Sequence, residues 1–153
     1  MNRYLPRLLV IGACLLTMPG LSMVKASEPL KAIIASYLEI HGKLVTDKTD
    51  GIKPPAEAIQ KQAAAMGASG TAIAKAAAAV VASTDLKTAR EAFGGLSDAV
   101  IAAARADGPA TMKELNAKVA FCPMVNRSWV QTDEKIRNPY YGSLMLECGE
   151  FKK

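Results

Sequence analysis

Apolar residues recur at helical spacing over most of the chain, and this pattern predicts its first elements. Between residues 28 and 45 they follow a three- and four-residue spacing, which indicates one amphipathic helix with an N-terminal cap at Ser27. This helix should end within "TDKTDGIKPP", where Gly51 and two prolines interrupt the pattern. Pro54 and Pro55 then open an alanine-rich helical segment that continues to residue 82, with a break predicted at "GASG".

A further apolar stripe predicts another helix, from residue 86 to residue 106. Its N-terminal cap is predicted at Ser83 or Thr84, because hydroxyl side chains accept hydrogen bonds from the free N–H groups of a first turn. Gly94 and Gly95 fall inside the stripe and favour a bend, since glycine weakens a helix interior. The segment "DGPA" at residues 107–110 should end this helix.

The pattern changes after residue 113. "AKVAFCPM" is short, apolar and partly β-branched, so it predicts a strand that runs into a turn, and "SWVQT" predicts its partner. "RNPYYG" predicts a turn, and "SLMLEC" one helical turn. The sequence therefore predicts a mainly α fold within one domain, residues 27–153: an antiparallel three- to four-helix bundle over 27–112 and a small C-terminal β-hairpin and loop subdomain over 113–153.

The first 26 residues have the composition of a cleaved signal peptide. A basic start is followed by the apolar run "LLVIGACLLTMPGL" and by "VKA", which fits cleavage after Ala26. Export to the periplasm is therefore predicted. Lipid attachment at Cys14 is the less favoured alternative, because the residues after it stay apolar.

The apparent basic charge belongs mostly to this predicted signal. The chain has 19 basic and 14 acidic residues, a net charge of +5, but Arg3, Arg7 and Lys25 lie in the first 26 residues with no acid beside them. The remaining chain carries only +2, and it contains no basic run, so no nucleic-acid partner is predicted. Lys61 and Lys75 interrupt the alanine-rich segment, so no membrane span is predicted after cleavage.

Four sulfur atoms form the main chemical candidate. Cys122 and Met124 lie two residues apart, a spacing that puts both on one side of an extended segment, and Met145 and Cys148 lie three apart, as neighbours on a helical turn. Soft ions such as copper(I) and silver(I) favour thiolate and thioether donors. From the residues alone two alternatives stay open. A Cys122–Cys148 disulfide is the commoner outcome for two cysteines in an exported domain, and a soft-metal site is the other.

The sequence motifs of the C-terminal segment resemble those of a known family. "FCPM", a tryptophan and "IRNPYYGSLMLECGE" closely resemble a small heavy-metal-associated domain of unknown function, found free-standing or at the C-terminus of periplasmic adaptor subunits of copper/silver RND efflux systems. "YLEIHGKLVTD" and "AREAFGGLSDAVIAAAR" are similar to its first and third helices. The sequence departs from the family pattern at Val125, Gly95 and Tyr141, none of which is a sulfur donor.

The resemblance implies a periplasmic metal-handling protein. It implies that Cys122, Met124, Met145 and Cys148 bind copper(I) or silver(I), for sequestration or for transfer to an efflux or copper-handling partner. His41 is a candidate additional ligand, although a lone histidine on an apolar helix face is more often a hydrogen-bonded core residue. The chain has one histidine and no recognisable nucleophile–base pair, so enzymatic activity is not predicted.

Overall fold

A computed structural model describes residues 28–152. Five α-helices come first in this part of the chain, and a three-stranded antiparallel sheet follows. The helices are α1 (Glu28–Leu44), α2 (Lys53–Ala65), α3 (Thr71–Ala82), α4 (Leu86–Asp107) and α5 (Pro109–Glu114). The strands are β1 (Lys118–Cys122), β2 (Arg127–Gln131) and β3 (Glu150–Phe151).

Helix α1 places its predicted apolar stripe in the core. The buried residues recur at three- and four-residue intervals, as an amphipathic helix requires; they include Leu30, Ile33, Ile34, Tyr37, Ile40 and Leu44. The helix is described from Glu28 onwards, so the predicted cap at Ser27 lies outside the described residues. Helix α1 contacts both α2 and α4.

The predicted break in the alanine-rich segment is confirmed. Residues Gly67–Gly70 form a 3-10 turn that separates α2 from α3. A Cβ atom at Gly70 would lie 1.9 Å from the carbonyl oxygen of Ala63, so only glycine lets the two helices approach this closely. Small side chains and this glycine therefore set the packing of α2 on α3.

Helix α4 begins at an N-cap other than the one predicted. Its N-cap is Asp85, whose carboxylate accepts a hydrogen bond from the N–H of Thr88 at 2.8 Å, while the Thr88 hydroxyl accepts from the N–H of Asp85. The expected cap at Ser83 or Thr84 is thus wrong by one or two residues. The helix also runs through Gly94 without interruption, and Arg127, whose guanidinium donates to Asp98, lies against this glycine.

The predicted hairpin is confirmed and extended by a strand that was not predicted. β1 pairs with β2 antiparallel, with Ala120 opposite Trp129, and with β3 on its other edge, with Ala120 opposite Phe151. The strand order is β2-β1-β3. Sheet and helices meet where the N–H of Val130 donates to the hydroxyl of Tyr37 on α1 at 3.1 Å.

The described chain is therefore mainly helical with a small sheet, as the sequence predicts. The short helix α5 was not predicted; it begins directly after Gly108, which adopts φ +97°. Trp129 and Tyr140 are buried, whereas Tyr141 is half-buried. Within residues 28–152 no helix is both long and apolar enough to cross a membrane.

Candidate metal centre

The two cysteines lie side by side. Cys122 ends β1 and is fully buried, and Cys148 lies in the turn before β3 and is half-buried. Pairing of Phe121 with Glu150 brings the ends of these segments together. The two sulfur atoms are 3.7 Å apart and unbonded, so both residues are free thiols in contact.

Hydrogen bonds favour the thiolate form of Cys122. Burial raises the pKa of its thiol, because a low-dielectric site disfavours charge. Four donors outweigh this effect: the N–H of Val125, the side-chain amide of Asn138, the N–H of Met124 and the thiol of Cys148. The pKa of Cys122 is therefore lowered.

The pKa of Cys148 moves in the opposite direction. It is raised first because the Cys148 thiol donates its proton to the sulfur of Cys122, and further by partial burial and by the negative charge on Cys122. The Cys122 thiol is therefore the first of the pair to lose its proton, and the Cys148 thiol then donates its own proton to the Cys122 sulfur. A positively charged ion that replaced this proton would meet two sulfur donors at once.

The two methionines lie close to the cysteines along the chain but in different settings. Met124 sits in the turn that joins β1 to β2, and its side chain is 61% exposed. Met145 is half-buried, and its carbonyl accepts a hydrogen bond from the N–H of Cys148 at 3.1 Å. The helical turn predicted over residues 143–148 is wrong in extent: a short 3-10 turn covers only Gly142–Leu144, so Met145 and Cys148 lie outside it. The structure thus brings the two thiols together and leaves Met124 at the surface.

His41 is a buried residue of α1 with a defined partner. Its Nε2 lies 2.9 Å from the carbonyl oxygen of Arg137, to which it donates in the neutral tautomer. Burial lowers the pKa of His41, which keeps the ring neutral. These contacts match the interpretation as a hydrogen-bonded core residue, and a role as a metal ligand stays a prediction. Across residues 28–152 no three His, Cys, Asp or Glu side chains are grouped in a way that could hold a metal.

A polar clamp, which the sequence did not reveal, holds the loop that precedes Cys148. Arg90 of α4 donates to the carbonyl of Pro139 at 2.9 Å and pairs with Asp47 at 2.5 Å. Asp47 in turn accepts hydrogen bonds from the N–H and hydroxyl of Ser143. Gly142 lies within this clamp at φ +56°, where a Cβ atom would come within 2.0 Å of Asp47 Oδ1.

Asn138 lies in the turn predicted over residues 137–142, and its contact with Cys148 is a feature that the sequence did not reveal. It is fully buried, and its side chain donates to the carbonyl of Cys148 at 2.7 Å. The sequence predicts the "RNPYYG" turn but does not predict this contact. An amide within a buried aromatic turn was the available signal, since buried polar groups require partners.

Comparison with known proteins adds no relative. No family model matches the chain, and neither a curated protein nor a solved structure is significantly similar to it. The resemblance to heavy-metal-associated domains therefore stays a prediction that rests on the motif residues.

Proposed function

We propose that this protein binds copper(I) or silver(I) in the periplasm, without enzymatic activity, and sequesters the ion or transfers it to an efflux or copper-handling partner. Cys122 and Cys148 supply the two thiolate ligands, and Met124 and Met145 supply thioethers, which completes a Cys/Met site. The observation that carries the proposal is the 3.7 Å separation of two unbonded thiols, of which Cys122 favours the thiolate form.

That separation suits two ligands of one ion. A disulfide requires sulfurs about 2.05 Å apart. Two thiolates that each lie about 2.3 Å from one ion, the distance typical of zinc, at a tetrahedral angle are instead about 3.8 Å apart. Because soft ions favour thiolate and thioether donors, copper(I) and silver(I) fit this donor set better than harder ions do.

The rest of the chain supports a small periplasmic carrier. Helix α1 packs against α2 and α4, and α3 packs against both α2 and α4, which supports the predicted antiparallel bundle as the scaffold of the site. Periplasmic location rests on the signal peptide predicted over residues 1–26, which lie outside the described residues.

Anaerobic titration with copper(I) against a chromogenic competing chelator tests the proposal. In protein expressed from the full chain, Cys122→Ser and Cys148→Ser should each weaken binding at least about 100-fold, since even residues behind the ligands commonly cost 10- to 100-fold. Met124→Leu and Met145→Leu should weaken it less. Met112→Leu is the matched control, because Met112 lies on α5 and the same exchange conserves volume there. Parent-like affinity in Cys122→Ser would overturn the proposal.

A disulfide-stapled interaction module without metal is the second candidate, and the same contact favours it. The thiols already touch, and a bridge across the 26-residue separation would stabilise the fold by about 3–4 kcal/mol in the chain-entropy treatment. Counting free thiols in denatured protein freshly isolated from the periplasm separates the two. Absence of reactive Cys122 and Cys148 favours the staple, and two reactive thiols favour the metal site.

A further inference from the structure

Asn138 directs its polar groups into the segment that carries Cys148. Its backbone N–H donates to the carbonyl of Leu146 at 2.7 Å, and its carbonyl accepts from the N–H of Gly142 at 3.0 Å. Its side-chain Oδ1 accepts from the N–H of Tyr140 at 2.8 Å. These contacts close the loop around one fully buried residue.

The same contacts orient the side-chain amide. Because Oδ1 faces the N–H of Tyr140, the NH2 group must point the other way, where it donates to the carbonyl of Cys148 at 2.7 Å. A carboxamide has two N–H donors. The amide of Asn138 also lowers the pKa of the Cys122 thiol, so this side chain acts on both cysteines.

We propose that Asn138 is the positioning residue that holds the thiols of Cys122 and Cys148 face to face. It need not touch the ion. It fixes the backbone of Cys148 beside the end of β1, and this contact is short and directional, with a fully buried donor residue. A contribution of Asn138 to metal affinity rests on the function proposed above, whereas the positioning of the two thiols does not.

Gln131 offers a matched control. It is also a fully buried amide of the C-terminal segment, and its side-chain Oε1 accepts from Trp129 Nε1 at 2.8 Å and from the N–H of Arg137 at 3.0 Å. Its Nε2 donates to the carbonyl of Lys135 at 2.7 Å. These bonds support the loop without involving a cysteine. The isosteric changes Asn138→Asp and Gln131→Glu therefore remove the same chemical group from a buried site in the same segment.

The test measures how well the two thiols can be bridged in metal-free protein. Phenylarsine oxide reacts with two neighbouring thiols, forms two As–S bonds and releases one water molecule. We expect Asn138→Asp to weaken this bridging by at least about tenfold, the lower end of what supporting residues contribute at ligand sites. Gln131→Glu should stay within about twofold of the parent, and Cys148→Ser should lose bridging. Equal effects of the two amide changes would overturn the proposal.

A measurement on the parent protein keeps the test decisive if Asn138→Asp does not fold. In nuclear magnetic resonance spectra, the side-chain amide protons of Asn138 should shift when the arsenical bridges the thiols, and those of Gln131 should not. An unchanged Asn138 signal would refute the positioning role. Because neither readout requires copper, the inference and the proposed metal function can fail separately.

Discussion

Between residues 28 and 107 the helices contact each other mainly through apolar side chains, whereas the segment after residue 115 combines buried apolar side chains with a set of polar contacts to the helices. The helical core is built from residues such as Ile33, Ile59 and Leu96, all fully buried. The C-terminal loops are instead tied to the helices by individual hydrogen bonds, for example from Arg90 to the carbonyl of Pro139 and from His41 to that of Arg137.

The difference has a physical consequence for the candidate site. Apolar burial is non-directional, so helices tolerate small shifts as long as area stays covered. Hydrogen bonds depend on distance and angle, so they fix positions more narrowly. The sulfur atoms of Cys122 and Cys148 lie in the second region, and their 3.7 Å contact therefore depends on directional bonds.

Phe93→Ala should have the largest effect, because Phe93 contacts both regions. Its ring stacks on Tyr37 of α1 at 4.7 Å between centroids and lies 6.2 Å from Tyr140 of the C-terminal loop. Truncation of a buried phenylalanine costs about 3–5 kcal/mol. We expect the free energy of unfolding, measured with denaturant, to fall by this amount. Circular dichroism and tryptophan fluorescence should both report a single transition.

The control for this change is Phe151→Ala. Because Phe151 on β3 is only half-buried, its truncation should lower the free energy of unfolding clearly less. Two separate transitions in Phe93→Ala, with fluorescence of Trp129 changing first, would show that the two regions unfold independently. The helical region and the C-terminal region would then be two separate folding units.

Gly142→Ala should affect the C-terminal region alone. The residue adopts φ +56°, and a Cβ atom there would displace Asp47 and Arg90, so the clamp must open. Strained backbone of this kind costs about 1–3 kcal/mol. Native-state hydrogen exchange should accelerate over residues 137–148 while the helix amides keep their protection.

Gly95→Ala is the matched control. Gly95 is exposed in α4, a Cβ atom added there would meet nothing within 4 Å, and alanine favours a helix. This change should leave exchange in the loop unchanged. Accelerated exchange throughout the helices in Gly142→Ala would contradict the assignment of the clamp to the C-terminal region alone.

The sequence predicted the first region far better than the second for the same reason. A helix such as α1 is encoded locally, by apolar residues three and four apart, and the break at Gly67–Gly70 by its glycines. The contacts of Asp47 with Ser143 join residues 96 positions apart, and β3 is only two residues long. No local pattern encodes such pairs. The sequence identified the cysteines and methionines as candidate ligands, but the contact between Cys122 and Cys148 could be found only in the folded structure.

The smallest predicted effect concerns the bond between His41 and the Arg137 carbonyl, and it depends on pH. Burial lowers the pKa of His41, so the unfolded chain binds a proton near pH 6.5 while the folded chain binds it only at lower pH. Protonation therefore favours unfolding, and the free energy of unfolding should fall as pH drops from 6.5 to the folded pKa.

His41→Gln removes this titration and keeps an amide donor for the Arg137 carbonyl. We expect its stability at pH 8 to lie within about 1 kcal/mol of the parent. Urea unfolding at several pH values gives the difference in the free energy of unfolding between parent and variant. As pH falls from 6.5 towards the folded pKa of His41, this difference should shift in favour of the variant. Below pH 3.8 both proteins should lose stability together, because Ser143 and Arg90 lower the pKa of Asp47 in each. A difference that is independent of pH between 8 and 4 would mean that His41 is not held neutral by burial, and that the helix-to-loop contact is looser than the 2.9 Å bond indicates.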